Sequence, residues 1–165
     1  LIERALIHCG DKELKYYEES LSLYQKYFKE HCLYGVKAYD GIKDVLSELK
    51  KRNIKIAVLS NKPHERTLDN VNAIFGENYF NRVYGERENI KIKPDPEGAL
   101  LIAKELGVSP EECLYFGDTN TDMKTGISAG MDTIGVAWGF RTVEELESYN
   151  PMKIINNPKE ILDII

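Results

Sequence analysis

The 165-residue chain has no apolar run approaching the roughly 20 residues that a membrane-spanning helix needs, and no charged-then-apolar leader opens it. A soluble, cytoplasmic protein with no membrane partner is expected. Basic clusters are missing as well: the net charge is −5 and the Lys and Arg residues are scattered, which argues against a nucleic-acid partner. An acidic protein that faces an anionic substrate has to supply positive charge locally. Cysteine is scarce, with residues only at 9, 32 and 113, no C-x-x-C and no even framework, so reduced core thiols are expected. An initiating methionine is also absent. Residue 1 is leucine, and Leu1 to Leu6 already reads as mid-helix without a cap, so the expectation is a fragment whose upstream part lies outside these residues. No internal repeat, low-complexity tract or long linker is visible. With 42% apolar and 30% charged residues, disorder and collagen-like structure are excluded, and the length suits one ordinary domain with a real core.

Asp11 is expected to cap a long helix in which Leu14, Tyr17, Leu21, Tyr24 and Phe28 recur at three- and four-residue steps and which ends near His31. With residues 1 to 9 it would form a helical hairpin. A loop leads to Asp40, which is expected to cap a helix through Val45, Leu46 and Leu49 that ends at Arg52-Asn53. Ile54 to Ser60 is rich in β-branched residues and reads as a strand. Pro63 suits the first turn of the next helix, which Gly76 ends. Tyr79 to Tyr84 is a weaker strand candidate.

Asp95-Pro96 opens a helix through Leu106 that Gly107 closes, and Ser109-Pro110-Glu111-Glu112 carries a capping box on one further turn. Cys113 to Phe116 reads as a short buried strand, followed by a helix from Asn120 to Ala129. Then come a strand at Thr133 to Ala137, a helix at Val143 to Tyr149, a strand at Lys153 to Ile155 and a final helix behind the capping box of Asn157 to Glu160. Strands that alternate with helices from residue 40 onward predict an α/β fold with a parallel sheet and right-handed crossovers. The first 35 residues are a helical appendage.

In open parallel sheets ligands bind at the carboxyl ends of the strands, where loops converge and helix N-termini present positive ends. Three such ends carry unusual residues here. Ser60, Asn61 and Lys62 offer hydroxyl, amide and backbone N–H groups to a phosphoryl oxygen; alternatively Ser60 or Asn61 caps the helix at Pro63. In Lys91-Ile92-Lys93-Pro94-Asp95-Pro96 the prolines stiffen the approach of Lys93 to an anionic site; alternatively Lys93 is a solvated surface lysine. Asp118 and Asp122, in Phe116-Gly117-Asp118-Thr119-Asn120-Thr121-Asp122, place two carboxylates one helical turn apart; alternatively Asp118 and Thr119 form a turn and cap, and Asp122 is a solvated first-turn acid. Together the three make sense as one phosphoryl-transfer site. The lysine and a divalent ion neutralise the phosphoryl oxygens while the acids hold the ion. Hard oxygen ligands with no His or Cys nearby select magnesium over zinc.

In order and spacing, Ser60-Asn61-Lys62-Pro63, Lys93-Pro94-Asp95-Pro96 and Gly117-Asp118-Thr119-x-x-Asp122 closely resemble motifs two, three and four of the haloacid dehalogenase-like phosphatases. The S-N-K-P form, Trp138-Gly139-Phe140-Arg141 and the upstream helices look most like the phosphoglycolate phosphatase branch. The resemblance covers nearly the whole chain. It implies a Rossmann-like parallel sheet core at residues 37–165 and a helical cap, in part, at residues 1–36. The implied activity is magnesium-dependent hydrolysis of a small phosphorylated metabolite, phosphoglycolate first, by a monomer or homodimer. It further implies that Ser60 hydrogen-bonds the phosphoryl group with the help of Asn61, that Lys62 lies on the substrate side, that Lys93 steadies the nucleophile and the phosphate charge, that Asp118 binds magnesium directly, and that Asp122 supports the metal shell. A pyrophosphatase or a sugar-phosphate mutase shares the same core.

The family's first motif, D-x-D-G-T, which supplies the nucleophilic aspartate, occurs nowhere in the 165 residues. Neither Asp40-Gly41 nor Asp44 substitutes for it. The expectation is that the first strand and its motif lie upstream and that these residues alone are inactive. The rival expectation is a non-catalytic interaction module that kept the fold.

Overall fold

A computed structural model describes residues 2–165; Leu1, read above as mid-helix, lies outside them. The chain divides into two compact units, Leu1–Val36 and Lys37–Ile165. The first holds α1 (Ile2–His8) and α2 (Tyr17–His31). Asp11 does not cap α2 as expected. Its carboxylate accepts the N–H groups of Lys15 and Tyr16, each at 3.0 Å, and so organises a loop in which Leu14 takes φ 56°. That turn delays the helix to Tyr17.

The second unit alternates strands and helices: α3 (Ile42–Lys51), β1 (Ala57–Pro63), α4 (His64–Phe75), β2 (Arg82–Glu86), α5 (Glu97–Leu106), β3 (Leu114–Gly117), α6 (Asn120–Ser128), β4 (Asp132–Val136), α7 (Val143–Glu147) and β5 (Lys153–Ile155). The capping-box segments at Pro110–Glu112 and Pro158–Asp163 are both 3₁₀ turns, so the final helix is tighter than expected. Asp40 does not cap α3. The residue before that helix is Gly41 at φ 85°, a left-handed conformation that glycine adopts without a Cβ clash, and it makes no side-chain cap bond.

β1 starts and ends later than the β-branched run suggested. Its partner β2 begins with Arg82 opposite Ala57, and the Ile56 N–H is already taken by the Asn81 side chain at 2.9 Å. Asn81 thus takes both backbone groups of Ile56, its own N–H donating to the Ile56 carbonyl at 2.8 Å, and regular pairing begins only at Ala57. Pro63, expected in a helix's first turn, is the last residue of β1 and stands just before α4 in extended conformation. Tyr79 and Phe80, read as strand residues, instead form an aromatic cluster with Phe75, with ring centroids 5.3 to 5.6 Å apart.

All strand pairings are parallel, as the alternation predicts, but among the described residues the strands form two sheets. One has the order β1-β2 and the other β3-β4-β5. β1 and β3 each have a strand partner on one side. Leu114, Tyr115 and Phe116, read from sequence as buried, are accordingly only half-buried. Two apolar clusters flank the sheets. Val45 and Leu49 of α3 pack with Ile56, Ile134, Val136 and Ile155, while Ala99 and Ala103 of α5 pack with Ala129 and Met131 against Leu59 and Tyr115. Of the three free thiols, Cys32 is buried, Cys113 is half-buried and Cys9 is exposed, so Cys9 is not the core thiol expected.

Candidate active site

Within each sheet the parallel pairing puts the strand carboxyl ends on one edge, and the three unusual segments follow or end β1, β2 and β3. Ser60 to Lys62 end β1, the 91–96 loop follows β2, and Asp118 follows β3. Lys93 ties them together. Its Nζ donates to the Leu59 carbonyl of β1 at 3.1 Å and pairs with Asp122 Oδ1 of α6 at 2.7 Å. The Lys93 and Asp122 side chains are only 14% and 8% exposed, so neither is the solvated charge of the alternative readings.

Asp122 is fixed from both sides. Its Oδ2 accepts the Thr119 hydroxyl at 2.6 Å, while its own N–H donates to Thr119 Oγ1 at 3.2 Å. Thr119 therefore caps α6, as the simpler alternative held, and also holds the carboxylate that faces Lys93. The Asn61 side chain is turned onto the Lys93 backbone: Nδ2 donates to the Lys93 carbonyl and Oδ1 accepts the Lys93 N–H, both at 2.8 Å. Ser60 Oγ accepts the Lys62 N–H at 3.1 Å. Neither Ser60 nor Asn61 caps α4, because the residue before that helix is Pro63 and it makes no side-chain cap bond. Lys62 Nζ reaches Asn70 Oδ1 of α4 at 3.4 Å.

Asp118 is held by a residue far along the chain. The Phe140 N–H donates to its Oδ2 at 2.9 Å. A Cβ on Gly139 would collide with the Asp118 side chain, and a Cβ on Gly117 would collide with that of Asp122. The sequence reading missed the Phe140 amide and the Leu59 carbonyl, and it gave Thr119 as a cap but not as a donor to the Asp122 carboxylate. Backbone groups carry no sequence signature, and the available clue to the first was the glycine inside Trp138-Gly139-Phe140-Arg141.

Among the described residues, no three or more His, Cys, Asp or Glu side chains converge as a metal site. Both Asp122 oxygens already accept hydrogen bonds, whereas Asp118 Oδ1 accepts none among the described residues. A carboxylate oxygen of this kind fits a hard ion such as magnesium, which typically takes one or two carboxylates and completes its shell with water and phosphate oxygens. A cavity of about 390 Å³ between α4 and β2 is lined by residues such as His64, Tyr84 and Arg87 and by none of Ser60, Lys93, Asp118 or Asp122. It lies apart from this site.

The sequence pattern of the haloacid dehalogenase-like hydrolases matches residues 4–136, and the chain belongs to that family. It is 30% identical over 162 residues to a phosphoglycolate phosphatase of Aquifex aeolicus, covering 98% of the chain and 74% of the relative. It is 27% identical over 166 residues to a phosphoglycolate phosphatase of Pseudomonas putida, and 30% identical over 148 residues to an N-acetylmuramic acid 6-phosphate phosphatase of Pseudomonas aeruginosa. Those two matches cover 98% and 84% of the chain but only 60% and 62% of the relatives' length. A haloacid dehalogenase-like hydrolase from Streptococcus pneumoniae superposes with a TM-score of 0.85 at 22% identity, over 99% of this chain and 76% of that one, which supports the α/β, Rossmann-like fold.

Proposed function

We propose that this chain carries most of the catalytic core of a magnesium-dependent, cytoplasmic phosphatase of small phosphate monoesters, with phosphoglycolate as the first candidate substrate. In this reading Lys37–Ile165 is the core and Leu1–Val36 is part of a helical cap that selects the substrate. The carrying observation is the Lys93 ammonium, held between the Leu59 carbonyl and Asp122 at the edge where Ser60 and Asp118 also lie. A cation mounted so rigidly is suited to steady phosphoryl charge without reorganising as the reaction proceeds. The phosphoglycolate phosphatases among the relatives support the substrate class.

Within the site, Ser60 would donate its hydroxyl to a phosphoryl oxygen. Lys93 would neutralise charge between phosphate and nucleophile, and Asp118 would hold magnesium through Oδ1 while the Phe140 amide fixes Oδ2. Asp122 would act through Lys93, since its oxygens are already engaged. The bound ion would neutralise phosphoryl charge and orient the substrate. The nucleophile in this reading is an aspartate outside these 165 residues, on a strand lying between β1 and β3; its carboxylate would take the phosphoryl group as the P–O bond to the substrate alcohol breaks and the alcohol leaves protonated, and water would then hydrolyse the aspartyl-phosphate to free aspartate and inorganic phosphate.

The test is phosphate release from phosphoglycolate by the intact protein across a magnesium titration. Asp118→Asn should abolish the magnesium-dependent rate and leave the fold unchanged. Unaltered activity at limiting magnesium would remove Asp118 from the site. A protein whose full sequence lacks D-x-D-G-T and which releases no phosphate from any monoester would instead be the non-catalytic module.

A further inference from the structure

We infer that Asn61 is a positioning residue for Lys93 rather than a phosphoryl ligand. The inference rests on the phosphatase reading above, and it reassigns the role that the family resemblance gave to Asn61. Its amide makes two reciprocal hydrogen bonds, both 2.8 Å long, to the N–H and C=O of one residue, Lys93. That is the pairing a strand neighbour would make, supplied by a side chain where regular pairing between β1 and the 91–96 loop is absent.

Lys93 is thus gripped at two points by the end of β1. Asn61 holds its backbone, and the carbonyl of Leu59, two residues earlier, accepts its ammonium at 3.1 Å. Among the described residues the ammonium also donates to Asp122 at 2.7 Å. Residues 91–93 are otherwise in irregular backbone, and Lys91 and Ile92 are exposed. Without the Asn61 clamp nothing else on β1 would hold the Lys93 main chain, and a small displacement of a charge-stabilising group is costly to catalysis. Serine is too short to span both backbone groups. Aspartate keeps the acceptor for the Lys93 N–H but loses the donor to the Lys93 carbonyl.

Two measurements test this. The first does not depend on activity: hydrogen exchange at the Lys93 amide should quicken by at least tenfold in Asn61→Ala and slow again in Asn61→Asp, which restores the acceptor. The second is a double-mutant cycle in the active, intact protein. Asn61→Ala should lower kcat about tenfold, or ~1.4 kcal/mol, with KM nearly constant, and should lower it less than twofold further in a Lys93→Met background. Unchanged exchange at the Lys93 amide in Asn61→Ala would overturn the clamp. So would a raised KM at constant kcat, or a full tenfold effect on top of Lys93→Met, since either marks a direct phosphoryl ligand. If the wild-type protein releases no phosphate, the phosphatase reading fails, and the exchange experiment still decides the clamp.

Discussion

Lys93 Nζ and Asp122 Oδ1 lie 2.7 Å apart with the two side chains only 14% and 8% exposed, and they join the loop after β2 to the first turn of α6. A pair so buried is sensitive to the loss of one partner, because the survivor is left as an uncompensated charge.

Lys93→Met is therefore expected to do more than slow a reaction. It should destabilise the Lys37–Ile165 unit by about 3 kcal/mol, the lower end of what breaking a buried pair costs, because the Thr119 hydroxyl still satisfies one Asp122 oxygen. Asp122→Asn in the Lys93→Met background should recover part of that loss. Urea unfolding followed by the fluorescence of Trp138, the chain's single tryptophan, measures both. Equal stability of wild type and Lys93→Met would show the pair to be energetically idle.

The sequence made the βα alternation legible because glycine and proline punctuate it: Gly76, Gly107 and Gly130 stand behind helices, and Pro110 and Pro158 open turns. It also put Ser60 and Asp118 at strand ends and Lys93 on the loop after β2, and the Lys93 bonds to the Leu59 carbonyl and Asp122 join the end of β1 to the start of α6. It did not show that Asn61 turns away from the edge onto the Lys93 backbone, or that the Phe140 amide reaches Asp118 from 22 residues away. Both bonds involve backbone groups, which every residue offers alike. The expected caps at Asp11 and Asp40 failed because a nearby loop residue in left-handed conformation, Leu14 or Gly41, set the helix start instead.

Gly139→Ala should damage the site through sterics. The new methyl would overlap the Asp118 side chain, so either Asp118 or the 138–141 loop must move, and the Phe140 N–H bond to Asp118 is lost. Overpacking of this kind costs roughly 1–3 kcal/mol. In the phosphatase reading the half-saturating magnesium concentration should rise by at least tenfold. Gly117→Ala should act on Asp122 in the same way and lower stability more than metal affinity. Wild-type magnesium dependence in Gly139→Ala would show that the loop yields freely.

The thiols should separate by reactivity. Cys9 is exposed, whereas the half-buried Cys113 donates to the Ser109 carbonyl at 3.3 Å, and burial, with the nearby Glu112 and Glu111 charges, raises its pKa. The thiolate is the reactive form, so a raised pKa means less of it at any pH below that value. Iodoacetamide at neutral pH should label Cys9 well before Cys113. Labelling of Cys113 should still be rising with pH above the ordinary thiol range of about 8.5. Equal rates at the two sites, read by peptide mass spectrometry, would contradict the burial of Cys113.

The division of the strands into β1-β2 and β3-β4-β5 sets the last expectation. β1 and β3 each have a strand partner on one side, and Leu59 and Tyr115 from these strands pack in one apolar cluster. Buried N–H and C=O groups left unpaired cost about 1–3 kcal/mol each, and a strand of five or six residues would leave several. A domain's whole stability is only about 5–15 kcal/mol. An open apolar strand edge is also a template for pairing with another chain. The 165-residue chain expressed by itself should therefore associate, or bind a dye specific for exposed apolar surface, as its concentration rises. The same residues in a chain that supplies a strand between β1 and β3 should be compact and monodisperse. Light scattering coupled to gel filtration separates the two outcomes. A 165-residue chain that stays monodisperse at high concentration and unfolds in one cooperative step would show that the β1 and β3 edges need no further strand, and the strand proposed to carry the nucleophile would lose its place in the sheet.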